Sequence, residues 1–124
     1  MTVKPNKKIL RPYKWHTGFL AWIIHRLTGV LLFFYIFLHL YLTNKLKDPE
    51  EYKATITFMN DPFIKLGEIG LLGLVLTHAL NGIRLTLIDL GLPTKLHKII
   101  FWGSVCVGFV ILTIGGLYIL RGIK

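Results

Sequence analysis

Residues 63–90 read FIKLGEIGLLGLVLTHALNGIRLTLIDL, and this stretch decides the fold. Its charged groups, Lys65, Glu68, Arg84 and Asp89, stand toward the two ends, and between Ile69 and Ile83 the only ionisable side chain is His78. A hydrocarbon core of about 30 Å needs roughly 20 mostly apolar residues in a helix, and this run exceeds that length. Two further runs, about Trp22 to Thr43 and about Ile99 to Leu120, meet the same requirement. Lipid offers no partner to an open strand edge, so each run is a helix. The expected class is therefore all-α: an integral membrane protein of three transmembrane helices, one domain over residues 1–124, with helices at about 22–43, 63–90 and 99–120.

Composition agrees. The chain is 53% hydrophobic and 17% charged, more apolar than a soluble domain of 124 residues can bury. The net charge of +9 is concentrated at the start, where Lys4, Lys7, Lys8, Arg11 and Lys14 make residues 1–21 a basic arm, continued by Arg26. Beside long apolar runs such an arm reads as a flank for anionic lipid or an acidic protein surface, and not as a nucleic-acid site. The first run is too long for a signal-peptide core, and Leu42-Thr43-Asn44-Lys45 offers no small-residue cleavage pattern. A single cysteine, Cys106, excludes an internal disulfide and reads as a buried packing residue.

The connections differ in kind. Asp48-Pro49-Glu50-Glu51 predicts the start of a short interfacial helix, with a proline and acids in its first turn. Gly91-Leu92-Pro93 predicts a tight stop. The lysine and arginine excess of the arm places the N-terminus in the cytoplasm and the C-terminus outside.

An ionisable group inside a span marks a functional site by default, and here there are two, His39 and His78. If His25 and Arg26 open the first span, they lie level with Arg84 and Asp89 at the end of the second. His78 is then roughly 9 Å deeper than Arg84, and His39 roughly 20 Å deeper than Arg26, at ~1.5 Å per residue. The two histidines fall about 10 Å apart in depth, too far to clamp one ion together. Imidazole at such a place suits an axial ligand of haem iron. Gly29, Gly70, Gly73 and Gly82 would let a macrocycle approach the backbone, and Arg26, Arg84 and His25 would meet its propionates. The plainer alternative is that each histidine hydrogen-bonds a neighbouring helix.

Two segments carry a family resemblance. His25-Arg26-Leu27-Thr28-Gly29, after a basic arm with Arg11-Pro12, and His78-Ala79-Leu80-Asn81-Gly82-Ile83-Arg84, followed by Asp89, resemble the first- and second-helix signatures of the cytochrome b subunit of succinate dehydrogenase. With three spans they cover essentially the whole chain. The resemblance implies a non-catalytic membrane anchor of succinate:quinone oxidoreductase, or of the related fumarate reductases, in a prokaryotic inner membrane in preference to a mitochondrial one. It would form half of a two-subunit bundle, with a second membrane-anchor subunit, an iron–sulfur subunit, a flavoprotein subunit and membrane lipid as partners. It implies haem b held by His78, with the other axial ligand from the second anchor, and membrane quinone as electron acceptor. His25, Arg26 and Arg84 match positions near the propionates or quinone, and Trp22 and Asp89 fall in the quinone region.

Two positions depart from that pattern. Trp22 stands where the family often has serine, and Leu85 stands where histidine often follows the arginine. The interval from Gly29 to His39 resembles diheme anchors, which makes His39 a second haem ligand; the alternative is one haem, with His39 packed on a partner. His16 and His97 read as interfacial. A small proton-coupled transporter using Glu68 and the histidines is a competing class, although Glu68 beside Lys65 reads first as an interfacial ion pair, and a haem-free structural anchor is a third.

Overall fold

The structure, a computed structural model, describes residues 17–122; the basic arm from Lys4 to Lys14, and His16 with it, lie outside the described residues. Four α-helices follow one another: α1 (Thr17–Lys45), α2 (Pro49–Met59), α3 (Pro62–Asp89) and α4 (His97–Arg121), with a short 3-10 turn at Thr94–Leu96 before the last. No strand occurs among the described residues. Three of the helices, α1, α3 and α4, are long and apolar enough to cross a membrane. The chain is an all-α, multi-pass membrane protein.

Local chemistry sets the boundaries. Asp48 caps α2 by accepting from the Glu50 amide at 2.9 Å, and Asp61 caps α3 by accepting from Phe63 at 2.8 Å. Each cap precedes a proline in the first turn, where a missing N–H costs nothing. The end of α3 follows from Gly91, whose φ of 93° is open to glycine at little cost. Its amide donates to the carbonyl of Ile88 at 3.0 Å and that of Leu92 to Leu87 at 3.3 Å, the paired bonds that satisfy a helix's last carbonyls. Only α1 departs from its expected start: it is already helical at Thr17, the first described residue, ahead of about Trp22. Phe19, Leu20 and Ala21 are themselves apolar and nothing in Gly18-Phe19-Leu20-Ala21 stops a helix, so the apolar span already includes them.

α3 is the middle helix, with α4 on one side and α1 on the other. The α3–α4 contact is built on glycines of α4: Leu80 lies over Gly108, Leu72 over Gly115 and Ile69 over Gly116. Small residues at such spacing let two helices approach closely where no hydrophobic effect drives them together. Burial is inverted relative to a soluble protein. Thr28, Thr55 and Arg84 are buried, while Phe33, Phe34 and Phe37 are each more than half exposed. Cys106 is likewise exposed, against expectation, because its position on α4 turns away from α3. These outward apolar faces suit lipid or a second protein.

Candidate functional site

α1 and α3 cross through a reciprocal pair of histidines and glycines. The His78 ring of α3 lies over Gly29 of α1, and the His25 ring of α1 lies over Gly82 of α3; a Cβ on either glycine would stand 3.0 Å from the facing Cε1. The two rings stack, with centroids 4.2 Å apart and planes within 9°. One turn toward the membrane surface, the Asn81 amide of α3 donates to the carbonyl of Ala21.

The proton arrangement at His78 follows from its neighbours. Its Nδ1 lies 3.2 Å from the carbonyl oxygen of His25, which can only accept, so Nδ1 carries the hydrogen. The Thr28 hydroxyl donates to Ile24 at 2.8 Å and offers its lone pair to the same Nδ1 at 3.1 Å. Nε2 is left with its lone pair and no hydrogen-bond partner among the described residues. An imidazole held by Nδ1–H to a backbone carbonyl, with Nε2 bare, is the state in which histidine ligates a metal. No group of three or more His, Cys, Asp or Glu gathers among the described residues, so no caged ion is indicated there. Haem iron asks only for axial donors, because the macrocycle supplies the others. The residues at the crossing fit that requirement.

Thr28 is a positioning residue on this reading. Outer-shell partners of ligating histidines are worth about 10- to 100-fold in metal affinity. If His78 holds haem iron, Thr28→Val, which keeps the shape and removes the lone pair, would weaken haem retention by about 10-fold while leaving the His25 carbonyl contact in place. Haem loss to excess apomyoglobin, timed against the unaltered complex, measures it; equal rates would show the hydroxyl to be idle.

The other expected site residues distribute differently. His25 lies over Gly82, about 3 Å from the level of Arg84 and about 10 Å from that of Asp89, and its ring stacks on His78. Its Nδ1 is buried without a partner. Gly29 and Gly82 each face an imidazole across the crossing. Arg26 points outward, its guanidinium 4.2 Å from the ring centre of Trp22, a cation–π pair on the exposed side of α1. Asp89 is exposed at the last residue of α3. Arg84 is buried, 5.4 Å over Phe101 of α4. Six residues at ~100° each carry it about 120° around α3 from His78, so the two side chains leave the helix on different faces. Leu85 leaves only apolar surface where a histidine was noted as missing.

His39 is exposed, with Nδ1 3.2 Å from the Tyr35 hydroxyl. It shares a stripe of α1 with Ala21, His25, Thr28, Leu32 and Tyr35, alternately four and three residues apart. His78 meets that stripe at Thr28 and Gly29, which leaves His39 roughly 16 Å farther along the axis. The two histidines stand at different depths, farther apart than the roughly 10 Å expected. Glu68 pairs with Lys65 at 3.1 Å, the interfacial ion pair foreseen, and so is no free carboxylate for a transport path. His97 reaches the Leu92 carbonyl with Nε2 at 3.2 Å and braces the turn into α4. Thr28 and Asn81 had drawn no role from the sequence; their signal was a polar side chain on the stripe that carries the histidines.

Comparison with known proteins follows the geometry. Residues 2–116 match the family model described as succinate dehydrogenase/fumarate reductase transmembrane subunit. Over 78 residues the chain is 40% identical to the succinate dehydrogenase 2 membrane subunit SdhC of Mycobacterium tuberculosis, a match covering 62% of this chain and 57% of that protein. Over 96 residues it is 34% identical to a succinate dehydrogenase hydrophobic membrane anchor subunit of Halobacterium salinarum, covering 76% of this chain and 74% of the other. The matched stretch thus spans little more than half the length of the mycobacterial relative.

Proposed function

The chain belongs to the family of succinate dehydrogenase/fumarate reductase transmembrane subunits, and from that premise we propose that it is the haem-b-binding anchor of a succinate:quinone oxidoreductase. The observation that carries the reading is His78, whose Nδ1 is tied to Thr28 and His25 while Nε2 is bare. On this reading His78 would hold the haem iron through Nε2, with a second membrane-anchor subunit contributing the other protein ligand and completing the helix bundle. His25 covers the face of the ligand ring. Haem, when bound, supplies a one-electron carrier.

The soluble partners, an iron–sulfur subunit and a flavoprotein subunit, dock at the end of the bundle where α1 begins and α3 ends. That end is cytoplasmic, in a prokaryotic inner membrane. The exposed Trp22–Arg26 pair and Asp89 stand there, and they are the groups placed to line a quinone pocket: an aromatic face, a hydrogen-bond donor to a quinone oxygen, and a carboxylate able to hold a proton. The reading is tested on the purified complex. Addition of succinate is expected to raise reduced b-type bands, and added quinone to bleach them; a complex without haem would sink the proposal.

His39 supports a two-haem form. It lies on the α1 stripe of His25 and Thr28, exposed toward whatever covers that face. His39→Ala is expected to remove one of two haems per flavin, counted by pyridine haemochrome; an unchanged ratio leaves His78 as the only ligand.

A further inference from the structure

Arg84 stands apart from the histidine pair and poses its own problem. It is 4% exposed, and its Nε and Nη1 are buried without a hydrogen-bond partner. Neither of the ion pairs among the described residues includes it. The Phe101 face near its guanidinium attracts the cation but does not neutralise it. A desolvated charge of this kind calls for an anion.

The space beside Arg84 indicates what that anion is attached to. A cavity of about 380 Å³ opens between α1, α3 and α4, with Arg84 and Phe101 at one end and Gly73 and Leu112 at the other. Each of those intervals, along α3 and along α4, is eleven residues, or about 16 Å. Its walls are apolar, with Leu76, Leu80 and Phe109 among them. One half of a bilayer's hydrocarbon is about 15 Å thick. α3, with 28 residues, is about 42 Å long and overhangs a ~30 Å core by about 6 Å at each end if centred. Arg84, five residues before the helix end and so about 8 Å inside it, lies close to the hydrocarbon boundary. The slot therefore starts where lipid headgroups begin and stops near the midplane.

We propose that this slot seats one acyl chain of an anionic phospholipid, with the phosphate held by the Arg84 guanidinium. The planar fork of arginine matches two phosphate oxygens, and the apolar slot takes the chain. A quinone would bring no negative charge to Arg84. A haem propionate on His78 would start about 120° away around α3. A free phosphate would leave the slot unfilled. The proposal is independent of the haem reading.

Native mass spectrometry of the intact complex, delipidated in mild detergent and given dioleoylphosphatidylglycerol, tests it. The unaltered complex and Arg84→Lys are expected to retain one lipid per copy more than Arg84→Gln, whose affinity at this site falls at least about 10-fold. Val105→Trp, which fills the slot and leaves Arg84 in place, is expected to lose the same lipid. Equal retention by Arg84→Gln overturns the proposal, as does equal binding of uncharged dioleoylglycerol. Displacement of the lipid by millimolar inorganic phosphate alone would make this a free-anion site and overturn it too. Loss of haem per flavin in Arg84→Gln with lipid retention unchanged would assign the arginine to the haem instead.

Discussion

His78→Ala is expected to abolish the b-type bands that depend on this chain, with loss of about 90% or more of that haem, since the other imidazole at the α1–α3 crossing, His25, keeps its unpartnered Nδ1 buried. His25 is the only nearby candidate, and its ring is already laid flat against His78 over Gly82. Removing the His78 ring also opens a hole above Gly29, so haem must be counted per flavin in assembled complex, separated from free subunits by size exclusion. His78→Gln provides the companion measurement: it fills much of the hole and hydrogen-bonds, yet supplies no imidazole. If the histidine ligates iron, both variants lose the haem. If it only braces α1 against α3, glutamine restores it and the ligand assignment falls.

Much of this arrangement is legible in the amino-acid sequence. The three spans, the short helix opened by Asp48 and Pro49, and the stop at Gly91 all follow from residue chemistry acting within a few positions, and the structure bears them out. The stacking of His25 on His78 was not legible, because span boundaries fix depth and not which ring faces which neighbour. Gly82 lets the two helices approach closely enough for the imidazoles to stack. The divergence of Arg84 from His78 was open to helical arithmetic, but grouping both in one sequence signature hid it. Which apolar face meets protein was beyond reach for another reason. In lipid, every face of a spanning helix is apolar, so no amphipathic stripe marks the contact as it does in water. The small residues carry that information, and the glycines under Leu72, Leu80 and the two imidazoles are where it is written.

Those glycines carry the second large effect. A side chain at Gly29 would meet the His78 ring, and one at Gly82 the His25 ring, each 3.0 Å from its Cβ. Neither ring can swing clear cheaply: His78 is fixed by Thr28 and the His25 carbonyl, and the two rings block each other. Gly29→Leu and Gly82→Leu are therefore both expected to separate α1 from α3, at the upper end of the roughly 1–3 kcal/mol that overpacking costs, and to prevent assembly. The alanine variants divide the two sites. In Gly29→Ala the methyl presses on His78, the proposed ligand, so the haem bands should shift or the haem be lost. In Gly82→Ala it presses on His25, so the complex should melt earlier while its bands stay in place. Gly73→Ala is the control, since its Cβ would meet Leu112 at an ordinary 3.7 Å. Spectra and thermal inactivation of the three alanine variants, prepared alike, check the set. If Gly29→Ala and Gly82→Ala behave identically, the two rings share one role, and the division into ligand and cover is wrong.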